Sequence, residues 1–331
     1  MNRRCALSAL GLIAAAAWSS RVAALSAPDA RPAGMRWRST LYRDHRLAGA
    51  IWSVMDDRLV DEQALSSALR AARYRLLGEM HDNPDHHAIQ LEQLGRLAKE
   101  GVKPVVAFEQ FDREHDAALQ ERLRGPDVTA EDVASAVRLD RKGWNWEYYR
   151  PLVEIALKYH MQLRAANLSR DDAQQIIKDG LNSLGAQRIA ALRLERAWSP
   201  EREQALRKHI FDGHCRALPE RLLPAMAAAQ RARDATMAES LLDAGPDGAV
   251  LIAGNGHVRR DLAAPLYLGA SPGAGATCSV GILEVEEGKT EPRDYAETAG
   301  ASPAAFDFVC FTPAWDRPDP CATFKPRSQP G

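Results

Sequence analysis

Several things are missing from this sequence, and each absence removes a class of explanation. Lysine plus arginine (43) and aspartate plus glutamate (44) nearly cancel, leaving a formal net charge of -1. With no basic excess, nucleic acid and anionic membrane surfaces drop out as main partners. The longest apolar run, Ala6 to Trp18, is too short for a comfortable membrane span. Five cysteines occur in 331 residues and none stand in a C-x-x-C spacing, which argues against a thiol-redox centre. There is no internal repeat of the solenoid kind. Gly254-Asn255-Gly256 lacks the third glycine of a dinucleotide fingerprint, and no Walker-type lysine follows it.

What is present is ordinary for a globular protein with a real core: 46% hydrophobic and 26% charged residues. The first 27 residues read as a signal peptide, because Arg3 and Arg4 precede the apolar run and small residues from Ala24 to Ala27 suit cleavage. No cysteine lies at that cleavage region, so a lipoprotein anchor is not supported. The expectation is a soluble exported protein, periplasmic, with a polar lead over 28–46, a folded domain over 47–315 and a proline-rich tail over 316–331. Cys5 leaves with the signal, and the other four cysteines permit three pairings, of which Cys310–Cys321 is the expected disulfide. Cys215 reads as a small buried residue.

The densest chemistry lies between Leu76 and Gln90, where an apolar run, a glycine, several acids and His81, His86 and His87 follow one another. Tyr74 to Leu77 suits a buried strand, and Gly78 permits a tight turn. Asn83 is placed to cap a helix whose first residue is Pro84 and which Gly101 ends. Val102 to Phe108 reads as the next strand, giving a β-α-β unit and a parallel pair. Thr129 with Asp132 reads as a capping box. An aromatic cluster at Trp144 to Tyr149 leads into a helix expected from Pro151. Met161 to Ala166 and Gly248 to Ala253 are further strands, 171 to 242 is a helical insertion with Ser199-Pro200 as one start, and Cys278 to Glu286 and Phe306 to Phe311 close the sheet. The fold class is therefore α/β, a mostly parallel central sheet flanked by helices.

Four of these strands end in polar residues: Glu79 and His81, then Glu109, then Asn167, then His257. In an open parallel sheet the carboxyl ends share one rim, so these residues can meet in a single crevice. Gly-x-x-His occurs twice, as Gly78-Glu79-Met80-His81 and Gly254-Asn255-Gly256-His257. Two histidines with one or two carboxylates suit either a divalent metal, held by His81, Glu109 and His257, or an acid/base pair in a metal-free hydrolase. His214 is a candidate third histidine at the crevice. Arg233 and Asp234 read as an ion pair in helix packing.

With these pieces together, the sequence resembles the ChaN-like haem-binding family of the wider Tiki, TraB and erythromycin-esterase superfamily. The resemblance rests on Leu77-Gly78-Glu79-Met80-His81-Asp82-Asn83 with His86, His87 and Gln90, on Phe108-Glu109, on Trp146 with Tyr149 and Pro151, and on Ala166-Asn167. It continues through His214-Cys215, Gln230 to Ala235, and Gly254 to Asp261. The family implies haem binding linked to bacterial iron uptake, with haem at a homodimer interface, iron ligated by tyrosine, and an outer-membrane haem uptake system as partner. Candidate ligands are Tyr148, Tyr149, Tyr159 and Tyr267. The superfamily's hydrolytic members imply a second function, metal-dependent peptidase or esterase chemistry at His81, His257 and Glu109.

Overall fold

The structure, a computed structural model, describes residues 36–196, 198–269, 276–295, 304–319 and 321–322. The expected signal peptide, most of the tail beyond Asp319 and the start of the lead lie outside the described residues. Eight strands form one sheet: β1 (Ile51–Ser53), β2 (Arg58–Val60), β3 (Tyr74–Leu77), β4 (Val105–Asp112), β5 (Leu163–Asn167), β6 (Ala249–Ile252), β7 (Thr277–Glu284) and β8 (Phe308–Thr312). The helices are α1 (Glu62–Ala71), α2 (Pro84–Lys99), α3 (Asp116–Leu123), α4 (Ala130–Ala136), α5 (Trp146–Lys158), α6 (Arg170–Asp179), α7 (Ala186–Ala191), α8 (Pro200–Gly213), α9 (Leu223–Leu242) and α10 (Ala264–Gly269). The strand order is β2-β1-β8-β7-β3-β6-β4-β5. From β8 to β5 every neighbouring pair is parallel, and only β1 runs against its neighbours. The fold is thus α/β, as the strand-helix alternation requires.

Side chains alternate across this sheet with the period of two that a strand imposes. Leu76, Ala107 and Leu251 enter one apolar layer with α6, α9 and α10. Leu77, Phe108 and Ile252 enter the other with α1, α2 and α5. Burial on both faces explains why the central strands read as continuous apolar runs. The helix starts follow their caps: Asn83 accepts from the Asp85 amide with Pro84 as first residue, Thr129 and Asp132 form a capping box, and Ser199 accepts from the Arg202 amide.

Four expectations are corrected. The helix expected from Pro151 starts at Trp146, capped by Asn145, and carries Pro151 inside it. Burial of Trp146 and Tyr149 outweighs the proline's missing donor. β4 continues past Phe108 to Asp112, with a register shift against β5. The disulfide joins Cys215 to Cys321, not Cys310 to Cys321. Cys310 points into the buried layer beside β1, where chain topology keeps it free, as Cys278 is. Cys215 is therefore a bonded, half-buried residue rather than a small core one.

Candidate functional site

β3 and β6 lie side by side, yet β3 leads into α2 on one face of the sheet while β6 leads into α10 on the other. Adjacent strands whose connections part in this way leave a crevice at their carboxyl ends, the usual ligand position in open α/β sheets. Here the outgoing loops are Gly78 to Asn83 and Gly254 to His257. Asn255 clamps the second loop to the sheet, giving its amide to the Ile282 carbonyl (2.7 Å) and accepting from the Ile282 N–H (3.0 Å). Gly78 must lack a side chain, since a β-carbon there would sit 2.2 Å from Asn255 Oδ1 and 2.9 Å from the Val280 carbonyl.

Glu79 is 2% exposed and its carboxylate is surrounded by donors. Tyr149 donates its hydroxyl to Oε1 at 2.6 Å, Gln110 donates to Oε1 at 3.2 Å, and Gln90 donates to Oε2 at 2.8 Å. His81 Nδ1 lies 2.8 Å from Oε1, and His87 Nδ1 lies 3.3 Å from Oε2. Burial alone would raise this carboxyl's pKa, but His87, His81 and Tyr149 outweigh it and hold it below the usual range.

The second loop builds a matching couple. His257 sits between two carboxylates, Nδ1 2.7 Å from Asp234 and Nε2 3.2 Å from Glu109. Glu109 also accepts from the Gly254 amide at 2.7 Å. Although burial opposes charge on His257, Glu109 and Asp234 push its pKa up to about 10. Burial also opposes ionisation of Glu109, yet His257 and His81 hold its carboxyl far below the ordinary range. Burial raises Asp234 to about 6 despite His257 beside it. Gly254 separates the two couples: a β-carbon on it would stand 3.1 Å from His81 Nε2 and 3.6 Å from Glu109 Oε2. Burial would lower the His81 pKa, but Glu109 and Glu79 raise it to about 9. Its side chain is 45% exposed, whereas those of Glu79, Glu109, Asp234 and His257 are buried. His81 is thus the group through which the network meets solvent.

The structure accordingly brings Glu79, His81, Glu109 and His257 to one rim. Asn167 ends β5 on the same rim, accepting from Arg233 at 3.0 Å. Arg233 and Asp234 do not form the expected ion pair; they turn to Asn167 and His257 respectively. His214 bonds the Ile210 carbonyl of its own helix (2.7 Å), and it is His209, one turn earlier, that approaches the crevice, 3.2 Å from where a Gly256 β-carbon would be. Sequence reading missed Asp234, His209, Gln110 and the partner role of His87. The one available signal was Gln230 to Asp234 standing at the family-like segment of α9. Among the described residues no group of three or more His, Cys, Asp or Glu is placed to hold a metal ion. The expected metal set of His81, Glu109 and His257 gains no support: His257 Nδ1 faces Asp234, and its Nε2 faces Glu109.

The four tyrosines differ. Tyr149 is 0% exposed, and burial together with Glu79 pushes its phenol far up. Tyr267 is buried beside Arg231 and raised to about 12 by burial. Tyr159 caps the end of α5, just before β5 begins, and so lies at the opposite rim. Tyr148 is half-buried and stacks on His87 with centroids 5.0 Å apart, while the Arg38 guanidinium lies 5.7 Å from its ring centre. Trp144 meets His81 edge-on at 4.8 Å, and Met80 beside it is 41% exposed.

A mostly parallel α/β sheet with a His/carboxylate network at its switch point defines a protein built around one rim site. The chain belongs to the haem-binding uptake family of the Tiki superfamily, ChaN, whose model matches residues 65–268. It is similar to a solved structure described as cofacial heme binding to ChaN of Campylobacter jejuni. The two share 21% identity and a TM-score of 0.59, over 78% of this chain and 95% of that one. An open-conformation erythromycin esterase mutant is a more distant likeness, at 13% identity and TM-score 0.43 over 87% of this chain and all of that one. No curated protein matches. Among the described residues no helix is long and apolar enough to cross a membrane.

Proposed function

We propose that this chain is an exported haem-binding protein associated with bacterial haem and iron uptake. The observation that carries the reading is the family match across residues 65–268. The rim offers a surface that suits a flat apolar ring: Met80, Trp144 and Tyr148 stand together beside the loop carrying His81. Tyr148 is the candidate iron ligand that fits best, because a tyrosinate needs an accessible phenol and burial opposes ionisation of Tyr149 and Tyr267. Tyr42, 41% exposed, follows Leu41, which is bridged to Ala314 just past the end of β8, and so adds a second accessible phenol on the same rim. The reading includes a periplasmic location, a homodimer that closes over the ring, and delivery to or from an outer-membrane uptake system.

Titrating the purified protein with hemin tests this. A Soret band with a tyrosinate-type spectrum is expected, lost or shifted in Tyr148→Phe. A spectrum that never departs from free hemin would count against the reading.

A second reading rests on a different observation: two imidazole-carboxylate couples face each other across Gly254. Glu79 fixes His81 Nδ1, which leaves Nε2 directed to the space shared with Glu109, an arrangement able to position water against a carbonyl. Turnover of a chromogenic carboxylic ester, abolished in His81→Gln, would support hydrolysis. Equal background rates in both proteins would remove it.

A further inference from the structure

The chain leaving β8 crosses the rim. The Pro313 carbonyl accepts from Asn83 at 3.3 Å, and the Trp315 amide donates to Glu284 at 3.1 Å. Arg317 donates to Asp82 at 2.7 Å, one residue from His81, and to Glu284 at 2.8 Å. Four residues on, Cys321 is bonded to Cys215, two positions past the end of α8. At its other side α8 covers the second site loop: His209 abuts Gly256, and Leu206 and Ile210 pack on Leu262. The segment therefore links the two lips of the crevice, the loop Glu79 to Asn83 and the helix α8.

Besides the disulfide, α8 is held to α9 by the ion pair of Glu203 with the buried Arg231 (3.0 Å) and by a small apolar contact. Its apolar contact is a satellite cluster whose buried members are Leu206, Ile210, Ala227 and Leu262, separate from the two main layers. An element with few buried apolar contacts sits at the low end of local stability. The tether is also the one reachable sulfur pair among the described cysteines. Cys321 is exposed and Cys215 half-buried, while Cys278 and Cys310 are buried and their thiols are pushed up to about 12.

We propose that residues 313–319 form a strap, locked through Cys321 by the Cys215–Cys321 disulfide, that fixes the width of the crevice, and that reduction by a dithiol releases α8 and opens it. A thiolate of the dithiol attacks one sulfur of the bond and expels the other as a thiolate. The second thiol of the dithiol then displaces the protein sulfur, leaving two protein thiols and an oxidised, cyclic dithiol. The device is indifferent to whether the guest is haem or an ester.

Hydrogen exchange on the oxidised full-length protein, with and without dithiothreitol and in Cys321→Ser, reads this directly. Opening the bond should speed exchange of the amides in 200–213 and 254–262 by about tenfold or more, with β3, β4 and β6 unchanged. Arg317→Ala should loosen 79–83 while the disulfide stays formed. Cys215→Ser should repeat the Cys321→Ser pattern. The proposal is overturned if α8 and its loop exchange alike in all forms, or if every strand speeds up together, which would make the bond a global staple.

Discussion

Raising the pH should weaken this protein through His257. In the folded chain its pKa stands at about 10 against an ordinary 6.5, held there by Glu109 and Asp234 against the cost of burial. A raised histidine contributes stability that is complete below its unfolded pKa and disappears as pH climbs through the folded one, so the window is pH 6.5 to 10. At about 1.4 kcal/mol per unit, the loss across that window is of order 5 kcal/mol, an upper figure because it is the same interaction seen from Glu109 and Asp234. His81 works in the same direction with its pKa at about 9. Asp234, raised to about 6 by burial, works in the same direction in a lower window: its contribution is complete below its unfolded value of 3.8 and is lost as pH rises through 6. The assay is the urea midpoint of wild type and His257→Gln at half-unit steps from pH 6.5 to 10. Wild type should begin well above the variant and converge on it. A gap that stays constant or widens with pH would refute the reasoning.

Two substitutions probe the same network. Gly254→Ala places a β-carbon 2.9 Å from His81 Cε1, and swinging that ring away breaks its bond to Glu79. Overpacking of this kind costs about 1–3 kcal/mol, a melting drop of roughly 2–5 °C for a chain this size by differential scanning calorimetry. Tyr149→Phe removes a buried donor to a carboxylate and should destabilise by about 1.5–3 kcal/mol in the same assay, with unchanged melting as the contrary result.

Much of this architecture could be read before the fold was known, for identifiable reasons. Asn83-Pro84, Thr129 with Asp132, and Ser199-Pro200 are local signals, decided by a side chain and an amide two or three residues away. Buried strands such as Ala249–Ile252 announce themselves because both faces are covered. Convergence of Glu79, Glu109 and His257 followed from strand ends sharing a rim. What escaped is what depends on packing between distant segments. Asp234 reaches His257 from helix α9, with strand β6 between them in the chain, and its neighbour Arg233 made an ion pair the simpler reading. The Cys215–Cys321 bond spans 106 residues, whereas the nearer Cys310 is withdrawn into the sheet. Strand β2, three residues with one buried side chain, carries too little pattern to be seen.

The central claim is that strand ends scattered along the chain, together with helix α9, hold a doubly protonated imidazole between buried carboxylates. Nitrogen-15 spectra of histidine-labelled protein at pH 8 address it most directly. His257, assigned by its loss in His257→Gln, should show two protonated ring nitrogens more than a unit above the pH where free histidine has lost its charge. A neutral ring at that pH, with one bare nitrogen, would contradict the account.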